Sequence, residues 1–418
     1  MRSSDLRRVS LRLESFRARL AAVAAAGLAL RLVYVHVLER GVRGLGDWHF
    51  FHSLPNLMAD GRGFVDPFVL AARGEEAATA LHPPLWPLVL TPVSWLGGES
   101  ALAHRTVGCV LGAGVIVLLG LLGRRIGGER TGLVAAGIAA AHPLLIAADG
   151  SLMSETLYGL LVLCVLLLAL RMLEAPGRLT ALALGVAIGL AALTRSEALL
   201  LLPLLALPVA LAVRPGRWAR LALACAGCVL AVLPWTVRNL AAFDRPVLVS
   251  HNDSTVFAGA NCDRTYSGED LGGWNLQCIS ERREDLDEGE QAEIWREEGL
   301  DYAREHAGEL PGVLAVRVLR SWSLWQPRRQ LEFGEGRARW AETAGVIAYF
   351  LLVPLALWGA VLLWRSDRGP LLVLLSPVVL VVASSLVAYG VPRFRHAADL
   401  SIVVLAAYAV SRRWPART

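Results

Sequence analysis

About ten apolar stretches, each near the roughly 20 residues that a helix needs to cross hydrocarbon, fill most of this chain, and arginine marks every second turn between them. The marked turns carry Arg124-Arg125 with Arg130, Arg171 with Arg178, Arg214 with Arg217 and Arg220, Arg365 with Arg368, and Arg412-Arg413. Basic residues stay with cytoplasmic turns. The alternation therefore restricts the chain to an all-α polytopic membrane protein whose remaining turns face outward.

Spans are expected near Leu20–Leu38, Ala101–Leu122, Thr131–Ala147, Leu152–Leu170, Leu179–Leu193, Ala198–Val213, Trp218–Trp235, Thr343–Trp364, Leu371–Ala388 and Ala397–Val410. The alternation holds only if Pro84–Leu96 does not cross, and Pro83-Pro84, Pro87 and Pro92 mark that segment as a helix lying in the outer interface. Both termini are then cytoplasmic. The expected divisions are a cytoplasmic basic tail over 1–19, a seven-span membrane core over 20–235 with an outer loop at 39–100, an extracytoplasmic segment over 236–342, and a three-span region with a short tail over 343–418. The tail before the first span resembles the charged start of a signal peptide. Its small residues come too early in the apolar run for cleavage, so the segment reads as an uncleaved span.

A hydrophobic content of 55% and a mean hydropathy of +0.50 exclude an ordinary soluble domain. The net charge of +5 comes from basic residues that are all arginine. Topology accounts for that excess, so it does not point to nucleic acid.

The outward turns carry the chemistry. Arg195, Arg393 and Arg395 sit in short outer turns where the charge rule disfavours arginine, and Arg31 lies in the outer half of the first span. Each is a candidate for holding an anion; snorkelling to headgroups is the ordinary alternative. Asp47, Asp149, Glu155 and Glu197 bring carboxylates to the same face from separate loops. Asp149 in Ala148-Asp149-Gly150 also suits a turn, and Glu155 suits a helix start. His49, His52 and His82 share the first loop with Asp47 and Asp66, but their spacing matches no closed zinc motif, so interfacial polar roles are the stronger reading. Cys262 and Cys278 both lie in the long outer segment, where an oxidising compartment favours a disulfide. Within that segment, Glu281–Glu309 reads as a solvated surface helix and Val313–Trp325 as an interfacial one.

Seven pieces in order carry a resemblance. They are Gly46-Asp47 with Leu57-Met58-Ala59-Asp60-Gly61-Arg62-Gly63-Phe64, His82-Pro83-Pro84-Leu85-Trp86-Pro87-Leu88, Leu152-Met153-Ser154-Glu155-Thr156-Leu157, Gly189-Leu190-Ala191-Ala192-Leu193-Thr194-Arg195-Ser196-Glu197, Pro234-Trp235-Thr236-Val237-Arg238-Asn239 and Pro392-Arg393-Phe394-Arg395. Read together, they resemble the GT-C-fold glycosyltransferases that use a polyprenyl-phosphate sugar, especially the family 39 branch with the protein mannosyltransferases and the lipid A aminoarabinose transferase. The resemblance implies a GT-C-like fold with outer juxtamembrane helices and one long outer loop. It implies Asp47 as catalytic base or metal ligand, and Arg195, Arg393, Arg395, Arg238 and Arg31 as candidates for the donor phosphate. Asp149, Glu155, Glu197, His49, His82 and Asn239 are then acceptor-side or supporting residues. No cofactor is assigned; a divalent metal is the one candidate. Trp48 follows Asp47 where many relatives have a second acid, which argues against a protein acceptor of the mannosyltransferase kind.

The expected activity is transfer of a sugar from a polyprenyl-phosphate donor to a hydroxyl of a lipid, glycan or protein at the outer face of a bacterial plasma membrane, with inversion. Such a reaction needs a base for the hydroxyl proton and positive groups for the departing phosphate. Two other classes compete. A transporter or flippase would place its charges near the bilayer midplane on broken helices, and a binding or assembly protein with this fold would lack turnover.

Overall fold

The computed structural model describes residues 3–44, 46–283, 285–331 and 335–413, with side chains from Glu14 to Arg412. Arg2, Arg7, Arg8, Arg12 and Arg413 lie outside the described side chains. The described residues form helices and no strand. Hydrocarbon offers backbone groups no partner, so an apolar chain of this kind satisfies them within helices.

Among the described residues, seven helices are long and apolar enough to cross: Glu14–Leu38, Ala101–Gly127, Glu155–Glu174, Arg217–Ala242, Arg339–Ser366, Arg368–Val387 and Pro392–Arg412. The chain is thus a multi-pass membrane protein. Three expected spans differ from this simple form. The one near Thr131–Ala147 is two helices, Glu129–Ala141 and Pro143–Asp149, bent by 64°. Pro143 removes a backbone donor and forces His142 out of the helical region, to ψ 116°. Arg178–Ala192 has 15 residues, about 22 Å of rise, short of the roughly 30 Å core. Ser196–Ala212 winds through 3-10, π and α turns around Pro203 and Pro208. The helix Ser3–Val33 runs continuously through residue 19.

Leu85–Trp95 is 11 residues long, about 16 Å, too short to cross. The helix Arg178–Ala192 lies directly on Arg217–Ala242. Gly185 meets the Ala224 backbone and Gly227 meets the Leu182 backbone, where a side chain on either glycine would collide. Small residues bring helices close where apolar surroundings give no hydrophobic drive between them.

The described residues between Ala242 and Arg339 form a layer that packs on the first loop and on the end of the helix Arg368–Val387. Its longer helices are Asn252–Ala260, Glu288–Glu305 and Leu310–Ser321; the second falls inside the surface helix expected over Glu281–Glu309, and the third overlaps the interfacial helix expected over Val313–Trp325 but starts earlier. A reciprocal cap by Asp287 and Glu290 starts Glu288–Glu305. Cys262 and Cys278 are joined by a disulfide. The layer docks on the first loop through the Ala80 amide donating to Glu288 at 2.9 Å, the His251 amide donating to the Ala80 carbonyl at 2.8 Å, and the Arg282–Asp66 pair at 3.3 Å.

Candidate active site

Asp47 is the first residue of the helix Asp47–Ala59, where the helix dipole favours a negative charge. One carboxylate oxygen lies 3.2 Å from His82 Nε2 and the other accepts from Arg393 Nη2 at 2.8 Å. Burial alone would raise its pKa, but His82 and Arg393 outweigh that and hold it well below the usual carboxylate range. Asp47 is therefore ionised. His82 is held in place by the Phe50 and Phe51 rings, 4.8 and 5.0 Å from its own.

Arg393 also connects Asp47 to a second, deeper carboxylate. Glu155 opens the helix Glu155–Glu174 and is 1% exposed. Three guanidinium groups converge on it: Arg195 at 3.3 Å, Arg393 at 3.5 Å and Arg337 at 3.8 Å. Arg195 further binds Glu197 at 2.6 Å and faces the Tyr158 and Phe394 rings. Burial opposes its charge, yet Glu197 and Glu155 raise its pKa. Arg393 is also paired with Glu335, and Arg337 reaches Glu342 at 3.9 Å. Tyr389 lies beside the cluster; burial and then the Asp47 charge push its phenol pKa up, so it stays protonated.

Arg337 and Glu335 were not singled out by sequence. The signal was the one that selected Arg195, an arginine just outside an apolar span on the outward side, but it sat in a long polar segment where arginines are common. Gly336, at φ 81°, separates the two and packs on Trp48 and the Ser151 carbonyl, leaving no room for a side chain. That left-handed turn suits glycine and aims both neighbours at the cluster.

The structure places other expected residues elsewhere. Arg31 donates to Asp149 at 2.5 Å and to the Gly27, Ala139 and Ala140 carbonyls, while Thr156 donates to the other Asp149 oxygen at 2.7 Å. Both charges are buried and compensated, so neither is available to a phosphate or an acceptor. Arg238 donates to the Thr79 and Phe64 carbonyls and lies against Trp235, Phe64 and Phe243, anchoring the first loop. Asn239 donates to the Val247 carbonyl at 3.4 Å. His49 is exposed and lies 3.4 Å from Ser53. Arg395 donates to Asp399 at 2.8 Å and to Ser323 at 3.0 Å, and lies over Tyr349. It shares with Arg337 and Arg393 only the wall of a cavity of about 40 Å³, room for about one water molecule and not for a sugar phosphate.

A divalent metal does not fit beside Asp47. That carboxylate has one imidazole neighbour, and its other oxygen already holds an arginine. Among the described residues, the acidic group with ligand-like spacing is Asp244, Asp287 and Glu290, where Asp287 and Glu290 are occupied as the helix cap.

Glu288 makes the dock between loop and layer sensitive to pH. One of its oxygens accepts from Ala80 and the other has no partner among the described residues. Burial pushes its pKa up to about 7, against the Ala80 amide and Thr79 hydroxyl, which lower it. The folded state thus holds the proton more tightly than the unfolded one. This contribution is full below the ordinary carboxylate pKa and is lost as pH rises through about 7. The expected result is that protease resistance of the layer falls between about pH 5 and pH 8, by up to about 3 kcal/mol. Glu288→Gln should flatten that dependence; an unchanged profile in the variant would remove Glu288 as its cause.

Comparison with known proteins gives this arrangement a setting. Residues 81–238 match the family model described as dolichyl-phosphate-mannose-protein mannosyltransferase. The segment contains His82, Glu155, Arg195 and Glu197, whereas Asp47 and Arg393 lie outside it. No curated protein sequence matches the chain. Among solved structures, the chain is similar to the oligosaccharyltransferase AglB from Archaeoglobus fulgidus in complex with an inhibitory peptide and a dolichol-phosphate, with a TM-score of 0.54, 14% identity, and coverage of 96% of this chain and 52% of that one. The same archaeal enzyme tethered to an acceptor peptide gives a TM-score of 0.55 at 14% identity, covering 95% and 49%. A weaker likeness, TM-score 0.45 at 18% identity, covers 94% of this chain and 77% of ArnT from Cupriavidus metallidurans bound to undecaprenyl phosphate. The chain spans about half the length of the oligosaccharyltransferases that it resembles. It is a multi-pass membrane protein of GT-C fold, and its residues 81–238 match the mannosyltransferase-type family model.

Proposed function

We propose that the chain is a membrane glycosyltransferase that moves a sugar from a polyprenyl-phosphate donor to a hydroxyl of a lipid, glycan or protein acceptor, with inversion, at the outer face of the membrane. The observation that carries this reading is Arg393, which touches both Asp47 and Glu155. In the resting state Arg393 lowers the basicity of Asp47. A donor phosphate that draws Arg393 away returns that basicity, so the base becomes effective only when donor is bound. The acceptor oxygen then attacks the anomeric carbon opposite the phosphate, its proton passes to Asp47, and the bond from sugar to phosphate oxygen breaks. The polyprenyl phosphate leaves with both electrons of that bond, held by Arg195 and Arg393. One displacement without a covalent sugar intermediate inverts the anomeric centre.

Glu335 stands where it must move, since it occupies Arg393 and the adjoining cavity is too small for the donor. His82 positions Asp47, while Glu155 and Glu197 keep the arginines charged and aimed. The outer location is supported by Arg124, Arg125, Arg171, Arg365 and Arg368, all at helix ends away from Asp47. The same pattern supports cytoplasmic termini. The bacterial plasma membrane is the setting that agrees with the outer-layer disulfide.

Incubation of purified protein with a panel of polyprenyl-phosphate sugars and an envelope lipid extract tests the reading, with release of lipid phosphate as the expected result and its absence for every donor as refutation. Arg195→Lys and Arg393→Lys separate the role of the phosphate. An ammonium keeps the charge but loses the two-pronged fork, so donor affinity should fall by about 10- to 100-fold, the equivalent of a hydrogen bond to a charged group. A dephosphorylated prenyl-sugar analogue should lose little. Equal losses for both ligands would mean that the arginines shape the fold instead.

A further inference from the structure

A second basic cluster lies far from Asp47. The helices Ala101–Gly127 and Glu155–Glu174 leave between them an open groove of about 520 Å³, lined by Leu121, Leu167, Leu168, Arg124, Arg125 and Arg171. Glu155 of the candidate active site begins the second of these helices. Arg171 comes 16 residues later, about 24 Å along the axis, so the groove opens at the opposite membrane face.

Its charges are unequally matched. Arg125 makes a two-pronged pair with Glu174 at 2.9 and 2.7 Å. Arg124 lies 3.6 Å from Glu129 and over the Phe16 ring. Arg171 is exposed and has no carboxylate partner among the described residues. The leucines form an apolar wall directly beside these arginines. Guanidinium groups suit a phosphodiester, and basic pockets between spans at a cytoplasmic face suit anionic phospholipids.

We propose that this groove binds a monoanionic phospholipid of the inner leaflet, its phosphate on Arg171 and Arg124 and its acyl chain along Leu121, Leu167 and Leu168. A single uncompensated cation favours a headgroup of one negative charge. The site is independent of the transferase reading, because its occupant is a lipid of the surrounding bilayer and its test reads binding.

Full-length protein in detergent, titrated with palmitoyl-oleoyl phosphatidylglycerol or the matching phosphatidylcholine and read by native mass spectrometry, distinguishes the outcomes. Phosphatidylglycerol should be retained about fivefold more than phosphatidylcholine, the equivalent of about 1 kcal/mol for a basic side chain near a membrane. Arg171→Ala and Arg171→Gln should both abolish that preference, the glutamine keeping part of the stem so that lost packing is not the cause. Arg214→Ala with Arg217→Ala, at an arginine-marked turn outside the groove, should leave it intact. Equal retention of the two lipids, or the same loss in the Arg214 and Arg217 variant, would overturn the proposal. So would equally effective competition by soluble glycerol phosphate, which would make the groove a site for free anions.

Discussion

Asp47→Asn is expected to reduce sugar transfer by about 10²- to 10⁴-fold, the range for removing a general base, while donor binding persists. The amide keeps the size and one oxygen acceptor for His82 or Arg393, but it has no charge with which to accept the acceptor's proton. Donor affinity should hold or rise slightly, since Arg393 would no longer be shared with a competing carboxylate. Single-turnover transfer and equilibrium donor binding, measured on the same preparation, separate the two effects. Turnover near that of the unmodified protein would remove Asp47 from the mechanism. A parallel loss of binding and transfer would make it a structural anchor for His82 and Arg393.

Breaking the Arg31–Asp149 pair should give the largest loss of stability. Arg31→Ala leaves Asp149 buried with an unmatched charge, and removing one partner of such a pair costs about 3–5 kcal/mol. Replacing both, as in Arg31→Met with Asp149→Leu, should recover most of that loss, because two apolar groups need no compensation. Thermal unfolding of the two single variants and the double variant in detergent measures the coupling. If Arg31→Ala unfolds normally but loses donor affinity, Arg31 faces the phosphate after all and the buried pair is not its role.

Apolar length made the multi-pass architecture legible, because insertion depends on composition over a window of residues. The bend at Pro143 was less legible. Hydropathy counts Thr131–Ala147 as one apolar run, whereas the geometry depends on one missing amide hydrogen. Arg178–Ala192 and Ser196–Ala212 were similarly apolar but too short or too irregular to form full-length crossings.

The same limit applies to the site. An arginine expected on the outer side of a membrane calls for a reason to be there, and that expectation selected Arg31, Arg195, Arg393 and Arg395 together. It does not say which anion provides the reason. Arg31 found Asp149 and Arg395 found Asp399, both within the bundle, while Arg195 and Arg393 converge on the shared carboxylates of the candidate site. Arg337, hidden in a polar segment, joined them only through the turn at Gly336.

Sequence by itself determined which stretches are apolar enough to enter a membrane, since that follows from composition over a window of residues. Tertiary structure decided the pairing. A buried charge is compensated by whatever group lies within a few ångströms of it, and for Asp47 that group is Arg393, 346 residues further along the chain.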